Sequence, residues 1–124
     1  MWIYRQSDGE LMRDGAFEGN GYSGTGPGRN NHAMESVQGV GPIPCGQYTI
    51  GPAYDDVHQD GTHGLGPCVM HLDPLPGTNT FHRSEFRIHG NNSANDASHG
   101  CIILGPAIRH LIDASRDRTL TVIE

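Results

Sequence analysis

The sequence predicts a mainly β fold with one short helix near the C-terminus. Its 124 residues include 18 glycines and 8 prolines, which interrupt the chain too often for long helices. Short runs of β-branched, aromatic and alternating apolar residues recur between these turn-forming residues, as is typical of strands. One window near the C-terminus has the spacing of a helix instead.

Seven runs are predicted to be strands because apolar residues alternate or cluster in them. They are Trp2–Arg5, Glu10–Arg13, Gln47–Ile50, Val69–Leu72, Glu85–His89, Cys101–Leu104 and Thr119–Ile123. The stretch Gly19–Asn31 is too rich in glycine for a regular element. Loops of that length in a small domain are usually functional or disordered, and we interpret this one as functional.

The helix is predicted at Pro106–Arg116, because proline suits the first position of a helix. Apolar or small residues follow at helical spacing, namely Ile108, Leu111, Ile112 and Ser115. We expect this face to pack on the sheet. A chain of this length suits one domain, and no internal repeat or linker divides it, so residues 1–124 are interpreted as a single unit.

The composition argues against two classes of partner. The formal charge is -6, and no window concentrates Lys or Arg with aromatic residues, so nucleic acid is not expected as a partner. No run approaches the ~18 apolar residues of a membrane span, so a membrane is not expected either. The first residues lack the basic and apolar regions of a signal peptide. We therefore expect a protein made in the cytoplasm that does not use the general export pathway.

The segment Phe86–Leu104 carries the chemistry. A β-rich run delivers His89, a polar loop follows, and His99 comes just before Cys101 at the start of another apolar run. Thiolate is the nucleophilic form of cysteine, and a neighbouring imidazole is the usual means of generating it near neutral pH. The pattern predicts Cys101 as nucleophile and His89 as base.

Two other interpretations of this segment stay open. A cysteine at the start of an apolar strand is often a core residue. The histidine and cysteine donors at His82, His89, His99 and Cys101 also suit a metal, although their spacings match none of the familiar zinc patterns. We expect neither a metal nor a cofactor.

Glycines flank the two central residues. Gly100 precedes Cys101 and Gly90 follows His89, and both are predicted to adopt a backbone conformation closed to other residues and to leave space for substrate. The other two cysteines, Cys45 and Cys68, lack a His-Gly context and are interpreted as structural or incidental. Whether they form a disulfide stays open.

These residues resemble a known family. His-Gly, a polar loop and then Ser-His-Gly-Cys at residues 98–101 are similar to the signature of the L,D-transpeptidase catalytic domain, also called the YkuD-like domain. The stretch Gly41–Ile50 resembles the Pro-x-Gly-x-Tyr/Phe strand entry common in that family. Gly21–Gly24, the asparagines at 30 and 31 and the Cys-Ile-Ile-Leu ending resemble most the small branch that includes type VI secretion L,D-transpeptidase effectors.

The resemblance implies a β-sandwich and a reaction on peptidoglycan. Cys101 would attack the carbonyl between the third and fourth residues of a tetrapeptide stem, release D-alanine and form an acyl-enzyme. His89 would be the base, oriented by a backbone carbonyl near Gly90. The N–H groups around Gly100 and Cys101 would form the oxyanion hole, and Ser98 and His99 would shape the site.

Four residues are expected to bind the substrate, namely Tyr22, Ser23, Arg87 and Asn91. Many family members carry Arg or Asn two residues after the cysteine, where this chain has Ile103. If Glu85–His89 is extended, Arg87 shares a face with His89 and could supply the missing polar contact to a substrate carboxylate. Phe86 and Ile88 would then point into the core.

The resulting hypothesis is an L,D-carboxypeptidase or D-amino acid exchange enzyme, because a single small domain has little surface for a second stem. Such an enzyme would act in the periplasm or cell wall of a target cell after delivery by a secretion system, and it would have a cognate immunity protein as partner. A phage or prophage lysis enzyme with the same chemistry and a non-catalytic peptidoglycan-binding module are the alternatives.

Overall fold

The structure is a computed structural model that describes residues 1–57 and 63–124. Ten strands and one α-helix lie within these ranges. They are β1 (Trp2–Arg5), β2 (Glu10–Arg13), β3 (Ala16–Asn20), β4 (Tyr22–Ser23), β5 (Gly46–Ile50), β6 (Tyr54–Val57), β7 (His63–Pro74), β8 (Arg87–His89), β9 (Ile102–Ile103), α1 (Pro106–Ser115) and β10 (Thr119–Ile123). Two short 3-10 turns, Gly26–Gly28 and His32–Met34, precede β5.

The strands form one continuous sheet in the order β3-β2-β1-β10-β5-β7-β8-β9-β4, and β6 adds to β7. The long strand β7 belongs to both halves of this sheet. It pairs with β5 through residues 72–74 and with β8 through Met70 and His71. Most pairs are antiparallel, but β1 with β10 and β8 with β9 are parallel.

One hydrophobic core lies between the two halves. Trp2 and Leu120 come from one half, Ile88 and Ile102 come from the other, and all four are buried in the same cluster. Burying each such side chain stabilises the fold by about 1.5–3 kcal/mol relative to exposure. Because both halves face this core, the predicted sandwich-like, mainly β fold with one short helix is confirmed.

Several predicted elements differ in extent. Three strands, β1, β2 and β10, have the predicted bounds. The run Glu85–His89 is a strand only from Arg87, since Glu85 has a φ of +68° and cannot continue an extended strand. The prediction of a loop at Gly19–Asn31 was wrong in part, because it contains the end of β3 and all of β4.

The helix begins at Pro106 as predicted and ends at Ser115, where Arg116 takes a left-handed conformation with φ +58°. Ile112 is buried and Ile108 packs on the core, but Leu111 is exposed. The face toward the sheet instead includes Arg109, which is buried. The described residues contain no helix long and apolar enough to cross a membrane.

Candidate active site

Two short parallel strands position the cysteine and the histidine. Ile88 of β8 pairs with Ile102 of β9, and both side chains are in the core. His89 follows Ile88 and Cys101 precedes Ile102. Because strand side chains alternate between faces, His89 and Cys101 lie on the opposite side of the backbone from the two isoleucines. They are diagonal neighbours across adjacent strands.

The Cys101 side chain is partly exposed and lies against the start of β8. Its Sγ is 3.7 Å from the carbonyl oxygen of Glu85, to which the thiol donates a weak hydrogen bond. Burial raises the pKa of the Cys101 thiol, whereas the backbone N–H of Arg87 and the charges of Arg87 and Arg83 oppose this shift. The net shift is upward, so a base is needed to form the thiolate near neutral pH.

The His89 imidazole is held in one orientation. Its Nδ1 lies 2.9 Å from the carbonyl oxygen of Gly90, so Nδ1 carries the proton and donates it to that oxygen. This is the contact that the family resemblance implied. Because Nδ1 carries the proton, the free lone pair of the His89 ring is on Nε2. Burial lowers the pKa of His89, and its side chain is only 3% exposed, so the ring is neutral and able to accept a proton at pH 7.

The predicted roles of the two glycines need correction. Gly100 does have a φ of +129°, which favours glycine, but a Cβ there would lie 2.5 Å from Nη2 of Arg83. Gly90 has no positive φ, and a Cβ there would lie 2.8 Å from Nη1 of Arg109. A side chain at either position would therefore contact an arginine of the protein.

The Ser98 side chain joins the loops around the cysteine. Its fully buried Oγ donates to the carbonyl oxygen of Cys101 at 2.6 Å. It accepts hydrogen bonds from the N–H groups of Gly24 at 2.8 Å and Gly100 at 3.2 Å. Since the Gly100 N–H is used in this way, the Cys101 N–H is the remaining candidate of the two predicted oxyanion donors.

Ser23 does not fit its predicted role in substrate binding. It is fully buried, and its Oγ accepts a hydrogen bond from the N–H of Ile43 at 2.8 Å. The hydroxyl also lies 3.5 Å from the carbonyl oxygen of Gly100. A side chain without exposed surface cannot contact a substrate, so Ser23 positions the Gly100 backbone instead.

Tyr22 and Asn91 border a cavity of about 500 Å³ next to Gly90. The Tyr22 hydroxyl donates to Oδ1 of Asn91 at 2.6 Å and accepts from the N–H of Ala97 at 2.9 Å. Two arginines, Arg29 and Arg109, also line this cavity. Its size suits one small ligand, and its polar groups and positive charge favour an anionic one.

The other two predicted residues occupy the edges of the site. Arg87 is half-buried, and its Nη2 lies 2.7 Å from Oε2 of Glu85. His99 is exposed, and its Nδ1 lies 3.1 Å from the carbonyl oxygen of Gly39 rather than beside the sulfur. His99 therefore fixes the approach of a neighbouring loop.

Arg83 was not predicted, although it supports the site. It is buried, and its guanidinium donates to the carbonyl oxygens of Gly41, Pro42 and His99. No motif marks a single Arg whose partners are backbone carbonyls distant in sequence.

The cysteines are all free thiols, so Cys45 and Cys68 form no disulfide.

The mainly β fold places Cys101 immediately before β9 and the neutral His89 at the end of the adjacent strand β8, beside a polar cavity, and this arrangement suits an enzyme. Residues 18–122 match the family model described as the Tlde1 domain, so the chain belongs to this family. This is the type VI L,D-transpeptidase effector family, and membership confirms the resemblance and the YkuD-like fold predicted from the sequence. It supports a peptidoglycan-modifying enzyme.

Among solved structures, the chain is similar to the catalytic domain from the E. faecium L,D-transpeptidase determined by NMR. The two are 14% identical with a TM-score of 0.48, and the alignment covers 98% of this chain and 95% of that domain. No curated protein matches the sequence.

Proposed function

We propose that this protein is a cysteine acyltransferase or hydrolase that cleaves the bond between residues 3 and 4 of peptidoglycan tetrapeptide stems. The observation that carries the proposal is the placement of Cys101 and His89 across the β8–β9 pair, with Nδ1 of His89 bonded to the Gly90 carbonyl. Nε2 of His89 is therefore the unprotonated nitrogen that can accept the thiol proton of Cys101.

The proposed reaction proceeds through an acyl-enzyme intermediate. His89 Nε2 takes the thiol proton, and Cys101 Sγ attacks the carbonyl carbon of residue 3. The tetrahedral oxyanion accepts a hydrogen bond from the Cys101 N–H. As the C–N bond breaks, the imidazolium returns its proton to the amine of the leaving D-alanine. Water or a small amine then attacks the thioester while His89 Nε2 takes its proton, and the C–S bond breaks so that the imidazolium returns a proton to the Cys101 thiolate.

The described residues show no direct hydrogen bond between the Cys101 sulfur and the His89 imidazole, so the mechanism requires this bond to form when substrate binds. Catalytic hydrogen bonds are often long or poorly aligned before substrate binds and become shorter in the substrate complex. The weak Sγ contact with the Glu85 carbonyl is easily exchanged, since thiols are weak hydrogen-bond donors.

Incubation with purified muropeptides, followed by mass spectrometry, tests the reaction. Loss of D-alanine from tetrapeptide stems is the expected result, and added D-amino acids should appear at position 4. Dominant 3-3 cross-linked dimers would show that a second stem is the acceptor. Unchanged muropeptides, together with retained peptidoglycan binding, would favour the non-catalytic binding module.

Membership in the effector family also supports a biological role. We propose that the enzyme is made in the cytoplasm, is delivered by a secretion system and acts on the cell wall of a target bacterium, while a cognate immunity protein protects the producer. Expression directed to the periplasm of a susceptible host should cause lysis that depends on Cys101. A neighbouring holin gene and no immunity gene would favour the phage lysis alternative.

A further inference from the structure

A second cluster of reactive side chains lies away from Cys101 and His89. Nδ1 of His32, the carboxylate of Glu35 and Sγ of Cys45 are all within 4.8 Å of one another. His32 lies in the second 3-10 turn, Glu35 follows that turn, and Cys45 precedes β5. The proposed reaction uses none of these residues.

The distances between these atoms fit a tetrahedral metal ion. Nδ1 of His32 is 3.8 Å from Sγ of Cys45 and 3.6 Å from Oε2 of Glu35. Ligand atoms bound at ~2.0–2.3 Å to one tetrahedral zinc ion lie roughly 3.3–3.6 Å apart. The two distances from Nδ1 are within a few tenths of an ångström of this range, and the ligand atoms of Glu35 and Cys45 lie within 4.8 Å of each other. A movement of the Glu35 or Cys45 side chain would bring all three to bonding distance of the same ion.

The surrounding hydrogen bonds leave one Glu35 oxygen available. Oε1 accepts from the N–H of Cys45 at 2.9 Å and from Nε2 of Gln6 at 3.2 Å. These two donors fix the carboxylate so that Oε2 faces His32. Outer hydrogen bonds that orient a ligand in this way are typical of metal centres.

Gln6 is fully buried, and its Oε1 lies 2.6 Å from Nδ1 of His32, a distance that places a proton between them. A cation bound to Nδ1 replaces that proton. The hydrogen bonds from Nε2 of Gln6 to Glu35 and to the Ile43 carbonyl keep its amide oxygen beside the site. That oxygen can serve as a fourth ligand or accept a hydrogen bond from a bound water. The His32 side chain is 36% exposed, which gives an ion access from solvent.

From this geometry we infer that His32, Glu35 and Cys45 bind a divalent transition-metal ion, with zinc as the best match to one nitrogen, one oxygen and one sulfur ligand. The site differs from the expectation that this chain holds no metal.

The ion would stabilise the loop that supports the active site. The backbone carbonyl of Glu35 accepts a hydrogen bond from Arg83, which also reaches the carbonyl of His99 at 3.5 Å. The exposed ring of His99 contacts the Gly39 carbonyl in the same loop. The proposed metal is therefore structural and acts at a distance from the sulfur of Cys101.

Cobalt binding tests the site independently of enzyme activity. Reduced protein without an affinity tag and carrying Cys101→Ala is titrated with Co²⁺, so that the nucleophile cannot contribute. We expect one equivalent to produce visible ligand-field bands of tetrahedral cobalt and a near-ultraviolet sulfur-to-cobalt charge-transfer band. Zinc should displace the cobalt and raise Tm as its concentration increases.

Variants assign the ligands. Adding Cys45→Ser to this protein should remove the charge-transfer band, and His32→Ala should weaken binding by more than the ~10- to 100-fold that loss of an outer partner costs. Cys68→Ala is the matched control and should keep the spectrum. The proposal is overturned by a spectrum without a sulfur band, or by one that Cys45→Ser leaves unchanged. If Cys45→Ser does not fold, calorimetry of zinc binding to His32→Ala decides, and unchanged affinity there overturns the site.

Discussion

The Ser98 hydroxyl lies 2.6 Å from the carbonyl oxygen of Cys101 and donates a hydrogen bond to it. The Ser98 hydroxyl oxygen also accepts hydrogen bonds from the N–H groups of Gly24 and Gly100. One fully buried side chain thus connects the loop after β4, Gly100 and Cys101. Ser98 is a positioning residue, because its contacts are to backbone groups.

Ser98→Ala should therefore reduce both stability and activity. Buried polar groups without a partner cost roughly 1–3 kcal/mol, so the free energy of unfolding should fall by about that amount. Denaturant unfolding and muropeptide kinetics measure the two effects. The exposed Ser93 lies in the same loop, and Ser93→Ala is the matched control. Equal stability and kcat for the two variants would contradict the positioning role.

Cys101→Ala should abolish turnover, whereas Cys68→Ala should keep most of it, because Cys68 is buried. Limiting iodoacetamide should label Cys101 first. Cys68 is shielded from the reagent, and the pKa of Cys45 is about 11, which leaves little thiolate there. Peptide mapping identifies the labelled residue. Turnover by Cys101→Ala at the wild-type rate is incompatible with the proposed mechanism.

The fold was predictable where the sequence signal is local. Trp2–Arg5 and Thr119–Ile123 alternate in the way that strands at a core require, and the structure has both as strands. In contrast, β3 carries an exposed Phe17 and contains Gly19, and β4 is only two residues long. Strand β4 exists because Tyr22 and Ser23 pair with β9. A contact between residues so distant in sequence leaves no local pattern.

The same distinction holds for the site. Cys101 and His89 could be predicted as candidates because their glycine neighbours form a short motif. Arg83 was missed because it bonds to carbonyl oxygens 16 to 48 residues away. The role of Ser23 was misassigned because a motif shows residue type but not exposure.

The activity should persist below the ordinary pKa of histidine, about 6.5. Burial lowers the pKa of His89, so the neutral base remains the main form as pH falls through 6.5 and is lost only at lower pH. Between these two pKa values the unfolded state binds more protons, so the free energy of unfolding also rises with pH in that range.

The pH dependence of kcat/KM measures the first effect. The acidic limb should lie below 6.5, and it should be absent from the residual activity of His89→Gln. Urea unfolding at several pH values measures the second effect, and this variant should lose the corresponding slope. An acidic limb above 6.5 would show that His89 is not the titrating base or that its burial does not control its pKa.

Gly100→Ala should destabilise the protein more than Gly15→Ala. Both glycines have positive φ, and that conformation costs a non-glycine residue of order 1–3 kcal/mol. Only at Gly100 would the new Cβ also contact Arg83, since nothing lies within 4 Å of the position at Gly15. Thermal unfolding compares the two. Equal loss of Tm would mean that Arg83 moves aside without cost.

The last prediction concerns Arg87, whose guanidinium pairs with Glu85 at 2.7 Å. The Glu85 side chain is 73% exposed, so this ion pair is weak and a substrate carboxylate can replace Glu85. Nε of Arg87 is buried and has no hydrogen-bond partner among the described residues. Because Nε is buried, the substrate carboxylate would bind at Nη2 in place of Glu85.

Arg87→Ala should therefore lower kcat/KM for tetrapeptide stems by about 10- to 100-fold, the value of a charged hydrogen bond. Arg87→Lys should restore only part of it, because lysine lacks the planar guanidinium. Glu85→Gln should lower KM by releasing Arg87.

Arg5, which pairs with Asp8 and Glu10 on the other half of the sheet, gives the matched control Arg5→Ala. Steady-state kinetics, with iodoacetamide labelling of Cys101 to verify an intact site, compare the variants. If Arg87→Ala behaves like Arg5→Ala, the substrate carboxylate binds elsewhere, and Arg29 and Arg109 in the cavity beside Gly90 become the residues to substitute.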